Sequence, residues 1–233
     1  MSISSKFQTG DIEADSDFMG IYDKCKDFTM TSMERMFALY AGCRYIVKDG
    51  IPGDFVECGV WKGGSAMMIA YTLLESGDSN RKIYLYDTFE GMSEPEDIDV
   101  DIIKRSARSL MNMDKEKVTH AWASIPEDEV RKNMLSTEYP DKNIFLIRGK
   151  VEETIPKKIP EKVSLLRLDT DWYASTKHEL EYLYPRLSQS GILIIDDYGH
   201  WAGAKKAVDE YFANKPLIFL NRIDYTGRIL IKP

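Results

Sequence analysis

Residues 55–65 read FVECGVWKGGS. An apolar run meets an acid at Glu57, and Gly59, Gly63 and Gly64 follow closely. Glycine inside a regular element costs about 0.5–1 kcal/mol against alanine. Three at one strand-to-helix turn therefore mark a backbone that bends sharply or approaches something closely. The segment before the turn, DFVEC (54–58), reads as a buried strand, and SAMMIAYTLLES (65–76) after it reads as a helix.

Working outward, KIYLYD (82–87), NIFLIRG (143–149), VSLLRLD (163–169) and GILIIDD (191–197) read as further strands. Upstream, TMTSMERMFALYAGCRYIVKDG (29–50) predicts a helix. Thr31 and Glu34 fit a capping box, Met36, Tyr40, Cys43 and Val47 share one face, and Gly50 stops it. Downstream, Thr176 and Glu179 fit a second cap, with Leu180, Leu183 and Leu187 as the buried stripe. GAKKAVDEYF (203–212) predicts the last helix, and LIFLNRIDYTGRILIKP (217–233) reads as two strands joined through Tyr225-Thr226-Gly227. Near-continuous apolar strands alternating with helices imply an α/β fold: a mostly parallel sheet with helices on both faces and an antiparallel last strand. Residues 95–138 break the alternation. They are rich in charge and methionine, with Ser124 and Glu127 as another cap pair, and read as a helical insertion lying over the sheet edge as a lid. Residues 1–28 read as a partly flexible tail and entry segment, mobile over the first fifteen or so, ahead of a single domain spanning 29–233.

The 233 residues, 43% hydrophobic and 30% charged, suit one globular domain. A formal net charge of −7 argues against a nucleic-acid partner. Cys25, Cys43 and Cys58 form no C-x-x-C pair, which excludes a disulfide framework or zinc site and suggests a reducing compartment. The first residues lack the pattern of a signal peptide, and no apolar run approaches a membrane span, so the expectation is a cytoplasmic protein away from membranes.

In open parallel sheets, ligands bind beyond the carboxyl ends of the strands. The glycine turn sits at such an end. It is neither the G-x-G-x-x-G dinucleotide fingerprint, because Trp61 and Lys62 occupy its middle, nor a P-loop. Glu57 suits a positively charged ligand, and Asp87, ending the next strand, suits ribose hydroxyls. S-adenosylmethionine satisfies both; a tight turn without a ligand is the plainer alternative. Four acids end two further strands: Asp169, Asp171, Asp196 and Asp197. Converging carboxylates repel one another unless a cation joins them. All-oxygen donors point to a hard ion, Mg²⁺ first, with Ca²⁺ and Mn²⁺ as alternatives. Asp169, Asp196 and Asp197 make the best ligand set; taken singly, any one of these acids is better explained as a helix cap. Asp169, Asp171 and His200 are candidate general bases, though a plain loop histidine also accounts for His200. His120 and His178 carry no expected role. Trp61, Trp172 and Trp201 fall beside the site, where core packing is the commoner use of tryptophan.

Taken together, GIPGDFVECGVWKGGS (50–65), YDTFEGM (86–92), GKVEETIP (149–156), LRLDTDWYAST (166–176) and GILIIDDYGHWAGAKKAVDEYF (191–212) resemble the macrocin O-methyltransferase family from about residue 29 to 212. The resemblance implies a Rossmann-like class I fold and a Mg²⁺-dependent O-methyltransferase that uses S-adenosylmethionine on sugar hydroxyls of natural products, often as an oligomer. It implies cofactor contacts from Glu57, Cys58, Gly59, Val60, Gly63, Gly64 and Ser65, from Asp87, Thr88 and Phe89, from Gly149, Val151 and Glu152 near the adenine, and from Asp169. It implies metal ligation by Asp169, Asp196 and Asp197, with a small glycosidic acceptor. Two other classes stay open here: a metal-dependent glycosyltransferase using Asp169-Thr170-Asp171, and a non-catalytic cofactor-binding homologue.

Overall fold

The computed structural model of the chain describes residues 9–113 and 124–233. The tail residues 1–8 and insertion positions 114–123, His120 among them, lie outside the described residues. Within the described residues one sheet forms from β1 (Asp54–Cys58), β2 (Ile83–Asp87), β3 (Ile144–Arg148), β4 (Val163–Leu168), β5 (Leu187–Ile195), β6 (Asn221–Arg222) and β7 (Arg228–Ile231). Their order is β3-β2-β1-β4-β5-β7-β6. β1 pairs in parallel with β2 and β4, and β4 with β5, while β7 runs antiparallel to both β5 and β6. The sheet is the mostly parallel, seven-stranded one that the strand pattern predicts.

Side chains alternate across a strand, so each strand feeds two cores. Phe55, Leu85, Leu165 and Ile192 face α2 (Ser16–Cys25), α3 (Met33–Lys48) and α4 (Gly64–Glu75). Val56, Cys58, Leu166, Leu168 and Leu193 face α8 (Tyr173–Leu183) and α9 (Ala202–Phe212) through Leu180, Leu183 and Val208. The helices between these sets are α5 (Ala107–Met113), α6 (Glu127–Leu135) and α7 (Val151–Thr154), and α1 (Gly10–Glu13) precedes α2.

The entry segment is more structured than its sequence suggests. Asp15 caps α2 by accepting from Phe18 N at 2.9 Å, and Phe18, Ile21 and Cys25 form one fully buried stripe. Burying side chains of this size stabilises by about 1.5–3 kcal/mol each, enough to fasten the helix to the core. Three expected caps shift. Ser32, not Thr31, caps α3, its Oγ accepting from Arg35 N at 3.2 Å. α8 starts after Trp172, which leaves Thr176 and Glu179 buried inside the helix. α6 follows Pro126, while Ser124 Oγ donates to the Phe89 carbonyl at 3.3 Å. Leu187 opens β5 rather than extending the preceding helix stripe. Residues 95–113 pack Ala107, with Leu110 and Met111, against Trp172 and Trp201, and α6 buries Val130 and Met134 in the core. No helix among the described residues is long and apolar enough to cross a membrane. The three thiols are free and buried.

Candidate functional site

The strand order reverses between β1 and β4, and the connections leaving their carboxyl ends open a crevice there. Gly59 and Gly63 both adopt the left-handed region, with φ of 81° and 89°. A Cβ on Gly59 would stand 1.9 Å from the Asp169 carbonyl oxygen, and one on Gly64 would stand 2.6 Å from the Phe28 backbone. Gly59 and Gly64 are thus required by the close approach of the chain itself, and Gly59 also lines two of the cavities beside the turn. Asp87 pins the turn from the next strand. Its Oδ2 accepts from Val60 N at 2.7 Å and Trp61 N at 3.3 Å, and its Oδ1 accepts from Phe89 N at 2.8 Å.

Three cavities surround this turn. A pocket of about 60 Å³ is lined by Gly59, Asp87, Thr88, Gly149, Val151 and Glu152, with Asp169 and Thr170. A connecting space of about 110 Å³ shares Gly59, Asp87 and Asp169 with it and adds Val60, Trp61 and Asp171. A cleft of about 630 Å³ continues from Val60 and Trp61 past Ser65 to Asp169, Asp171, Asp196, Asp197 and His200. Asp169 lines all three. None of the three is lined by Glu57, Cys58, Gly63, Gly64 or Phe89, all expected near the cofactor. Strand alternation turns Glu57 into the α3–α4 side of the sheet and Cys58 into the other core.

Register then explains the acids. Glu57 on β1 pairs with Arg167 on β4, and Leu168 pairs with Ile195, so the next residues, Asp169 and Asp196, emerge side by side. Carboxylate oxygens of Asp169, Asp196 and Asp197 lie within 4.8 Å of one another. Beneath them Arg167 is 1% exposed. Its Nη1 reaches Glu57 Oε1 at 2.6 Å and Asp169 Oδ2 at 2.8 Å; its Nη2 donates to Asp196 Oδ1 at 2.6 Å and to Thr31 Oγ1 at 2.9 Å. Ser65 Oγ also donates to Glu57. Burial pushes the Glu57 carboxyl up to about 7, although Arg167 and Ser65 both pull it down. Arg167 stays cationic: burial opposes its charge, but Asp169 and Glu57 outweigh that and raise it. Arg35 on α3 grips Asp196 Oδ2 through Nη1 and Asp224 Oδ2 through Nε at 3.0 Å.

Asp197 and Asp171 are held by neither arginine. Asp171 N donates to Asp197 Oδ2 at 3.1 Å, and Asp171 has a left-handed φ of 66°. Desolvation and then the neighbouring Asp169 raise the Asp171 carboxyl to about 7; desolvation and then Asp171 raise Asp197 well above the usual range. A hard divalent ion fits this donor set, because its charge would return both carboxyls to the ionised form and its preference is for oxygen ligands. His200 stands at the cleft wall, its Nδ1 3.4 Å from Tyr225 Oη, and burial lowers its pKa. Trp172 and Trp201 pack edge to face at 5.0 Å and seat the insertion. Arg167, Arg35 and Asp224 are missing from the sequence-based site. The legible signal was Arg167, a charge inside the apolar run VSLLRL.

The chain matches the profile of a family described as Macrocin-O-methyltransferase (TylF) over residues 8–232. It is 33% identical over 202 residues to the 8-demethyl-8-(2,3-dimethoxy-alpha-L-rhamnosyl)-tetracenomycin-C 4'-O-methyltransferase of Streptomyces olivaceus, covering 87% of this chain and 74% of that protein. Identity to the demethyldecarbamoylnovobiocin O-methyltransferase of Streptomyces niveus is 29% over 185 residues, 79% of this chain and 68% of the relative. The solved structure of the O-methyltransferase NovP superposes with a TM-score of 0.74 at 28% identity, covering 88% of this chain and 82% of that one. The match begins well before residue 29, in keeping with the buried stripe of α2.

Proposed function

The chain belongs to the macrocin O-methyltransferase family, and from that premise we propose that it methylates a hydroxyl of a sugar or glycosylated small molecule, with S-adenosylmethionine as donor and a hard divalent cation, Mg²⁺ foremost. The observation that carries the reading is the continuity of the three cavities through Asp169. The small pocket at Asp87, Gly149, Val151 and Glu152 and the connecting space that shares Gly59, Asp87 and Asp169 with it together mark the nucleoside end, and Asp87 serves the ribose hydroxyls while it pins the turn. The wide cleft takes the acceptor, and Asp169, Asp196 and Asp197 hold the ion between the two. When bound, the ion supplies Lewis-acid stabilisation of the charge that develops on the acceptor oxygen, and the sulfonium cofactor supplies the methyl group.

The residues of the chain do the rest. Asp171 faces the acceptor cleft free of both Arg35 and Arg167, and it takes the hydroxyl proton. Asp169 is held in place by Arg167 at 2.8 Å. His200 and Tyr225 wall the acceptor side. Positioning oxygen, methyl and sulfur in line contributes much of the acceleration. The nucleotide-sugar transferase alternative falls with the family assignment. Calorimetric titration with S-adenosylmethionine, with and without Mg²⁺, joined to a release assay for S-adenosylhomocysteine over a panel of glycosides, tests the whole reading. Failure to bind the cofactor at millimolar concentration overturns it; full turnover after exhaustive chelation overturns its metal half.

A further inference from the structure

Asp196 is gripped from two sides. Arg167 Nη2 holds Oδ1 from the buried face, and Arg35 Nη1 holds Oδ2 from the cleft. Resting on the metal reading above, we infer that Arg35 is a tethered counter-cation: it occupies Asp196 in the ion-free chain and surrenders it to the divalent ion. In doing so it loosens the segment that walls the acceptor cleft.

Arg167 is sealed under the ledge with Glu57, Asp169 and Thr31 as further partners, which fix it against Oδ1. An ion that takes Asp196 has to take it from Arg35, and a guanidinium left beside it would be a like charge at close range. Arg35 has a berth ready. Its Nε already donates to Asp224 Oδ2, which also accepts from Ser32 Oγ at 2.8 Å. Asp224 is itself fixed, with Oδ1 accepting from Thr226 N at 2.9 Å and Gly227 N at 2.6 Å. Letting go of Asp196 therefore leaves Arg35 paired, and the release avoids stranding a buried charge. The contact that breaks is one tie between the first turn of α3 and the ledge, while Thr31 Oγ1 just ahead of it stays on Arg167 Nη2 at 2.9 Å. Phe28, Thr29, Met30 and Thr31, just ahead of that turn, line the acceptor cleft with Arg35. Ion loading and the shape of the acceptor wall are thus linked through one side chain.

The test uses MgCl₂ as the probe on the full chain, read by calorimetry and by amide hydrogen exchange of peptides covering residues 29–36. In the wild type, Mg²⁺ should bind with measurable heat and accelerate exchange in that segment. Arg35→Gln should bind Mg²⁺ about tenfold more tightly, with exchange already fast and indifferent to the ion. An orienting partner of a ligand would do the opposite, weakening the ion roughly 10–100-fold on removal. Arg35→Lys, which keeps the charge but has one ammonium for two carboxylates, should fall between the two in affinity. Mg²⁺ binding without any exchange response, or weakened binding in Arg35→Gln, overturns the tether while leaving the metal reading intact. No heat of Mg²⁺ binding in the wild type overturns both.

Discussion

Replacing Arg167 by methionine tests whether the ledge is held from beneath. The side chain is fully buried and bridges Glu57, Asp169 and Asp196, which are drawn from three strand ends. Methionine keeps most of the length and none of the charge. Removing one partner from a buried pair costs about 3–5 kcal/mol, because the carboxylates left behind stay desolvated. With a urea slope of about 2–3 kcal/mol per molar, the unfolding midpoint should fall by roughly 1–2.5 M at pH 7.5 with the slope unchanged. Lowering the pH to 5 should narrow the deficit, since a proton on Glu57 replaces the missing guanidinium. Adding Glu57→Gln to Arg167→Met should recover part of the loss, a non-additivity of about 1–3 kcal/mol. Urea titrations followed by far-ultraviolet circular dichroism measure all three. A midpoint change smaller than about 0.4 M, or strictly additive single and double substitutions, would refute the argument that the ion pair organises the site.

Three further outcomes follow from the same geometry. Asp171→Asn should lower kcat by about 10²–10⁴-fold while S-adenosylmethionine affinity, read by calorimetry, stays near wild type; equal losses in both would deny Asp171 the role of base. Gly59→Ala forces a left-handed alanine whose Cβ collides with the Asp169 carbonyl. It should lower stability by at least about 2 kcal/mol in thermal melts, and a silent substitution would contradict the close approach of β1 and β4. Glu57, raised to about 7 in the fold from 4.5, keeps its proton in the folded chain at pH values where the unfolded chain has released it. Its contribution is therefore complete below pH 4.5 and is lost as pH climbs toward 7, on the order of 3 kcal/mol. Urea midpoints compared between wild type and Glu57→Gln across pH 5–7.5 should show the wild type losing ground as pH rises, and parallel pH profiles would count against it.

The alternation of apolar runs and helical stripes carried the parallel sheet, because Phe55-Val56, Leu165-Leu166 and Leu193-Ile194 are buried on both faces and sequence shows that directly. The antiparallel close was equally legible from the hairpin at Tyr225-Thr226-Gly227. Asp87, Asp169, Asp196 and Asp197 stood out as acids ending apolar strands, where a carboxylate has no packing use. Helix starts were less legible: Thr31, Ser32, Thr176 and Ser124 are all able to cap, and the choice fell to tertiary partners such as Arg167 for Thr31 and Phe89 for Ser124.

Composition and local pattern determined which residues are strands, which acids end them, and where the chain must turn, since each of these is a matter of neighbours within a few positions. Register and strand order lie beyond that range. Only the pairing of Glu57 with Arg167 across β1 and β4, and of Leu168 with Ile195 across β4 and β5, brings Asp169 beside Asp196 and buries Glu57 beside Arg167. Only the return of the hairpin places Asp224 within reach of Arg35. The forces that fix those meetings, burial and charge pairing between residues far apart in sequence, act through space and leave no mark at any single position.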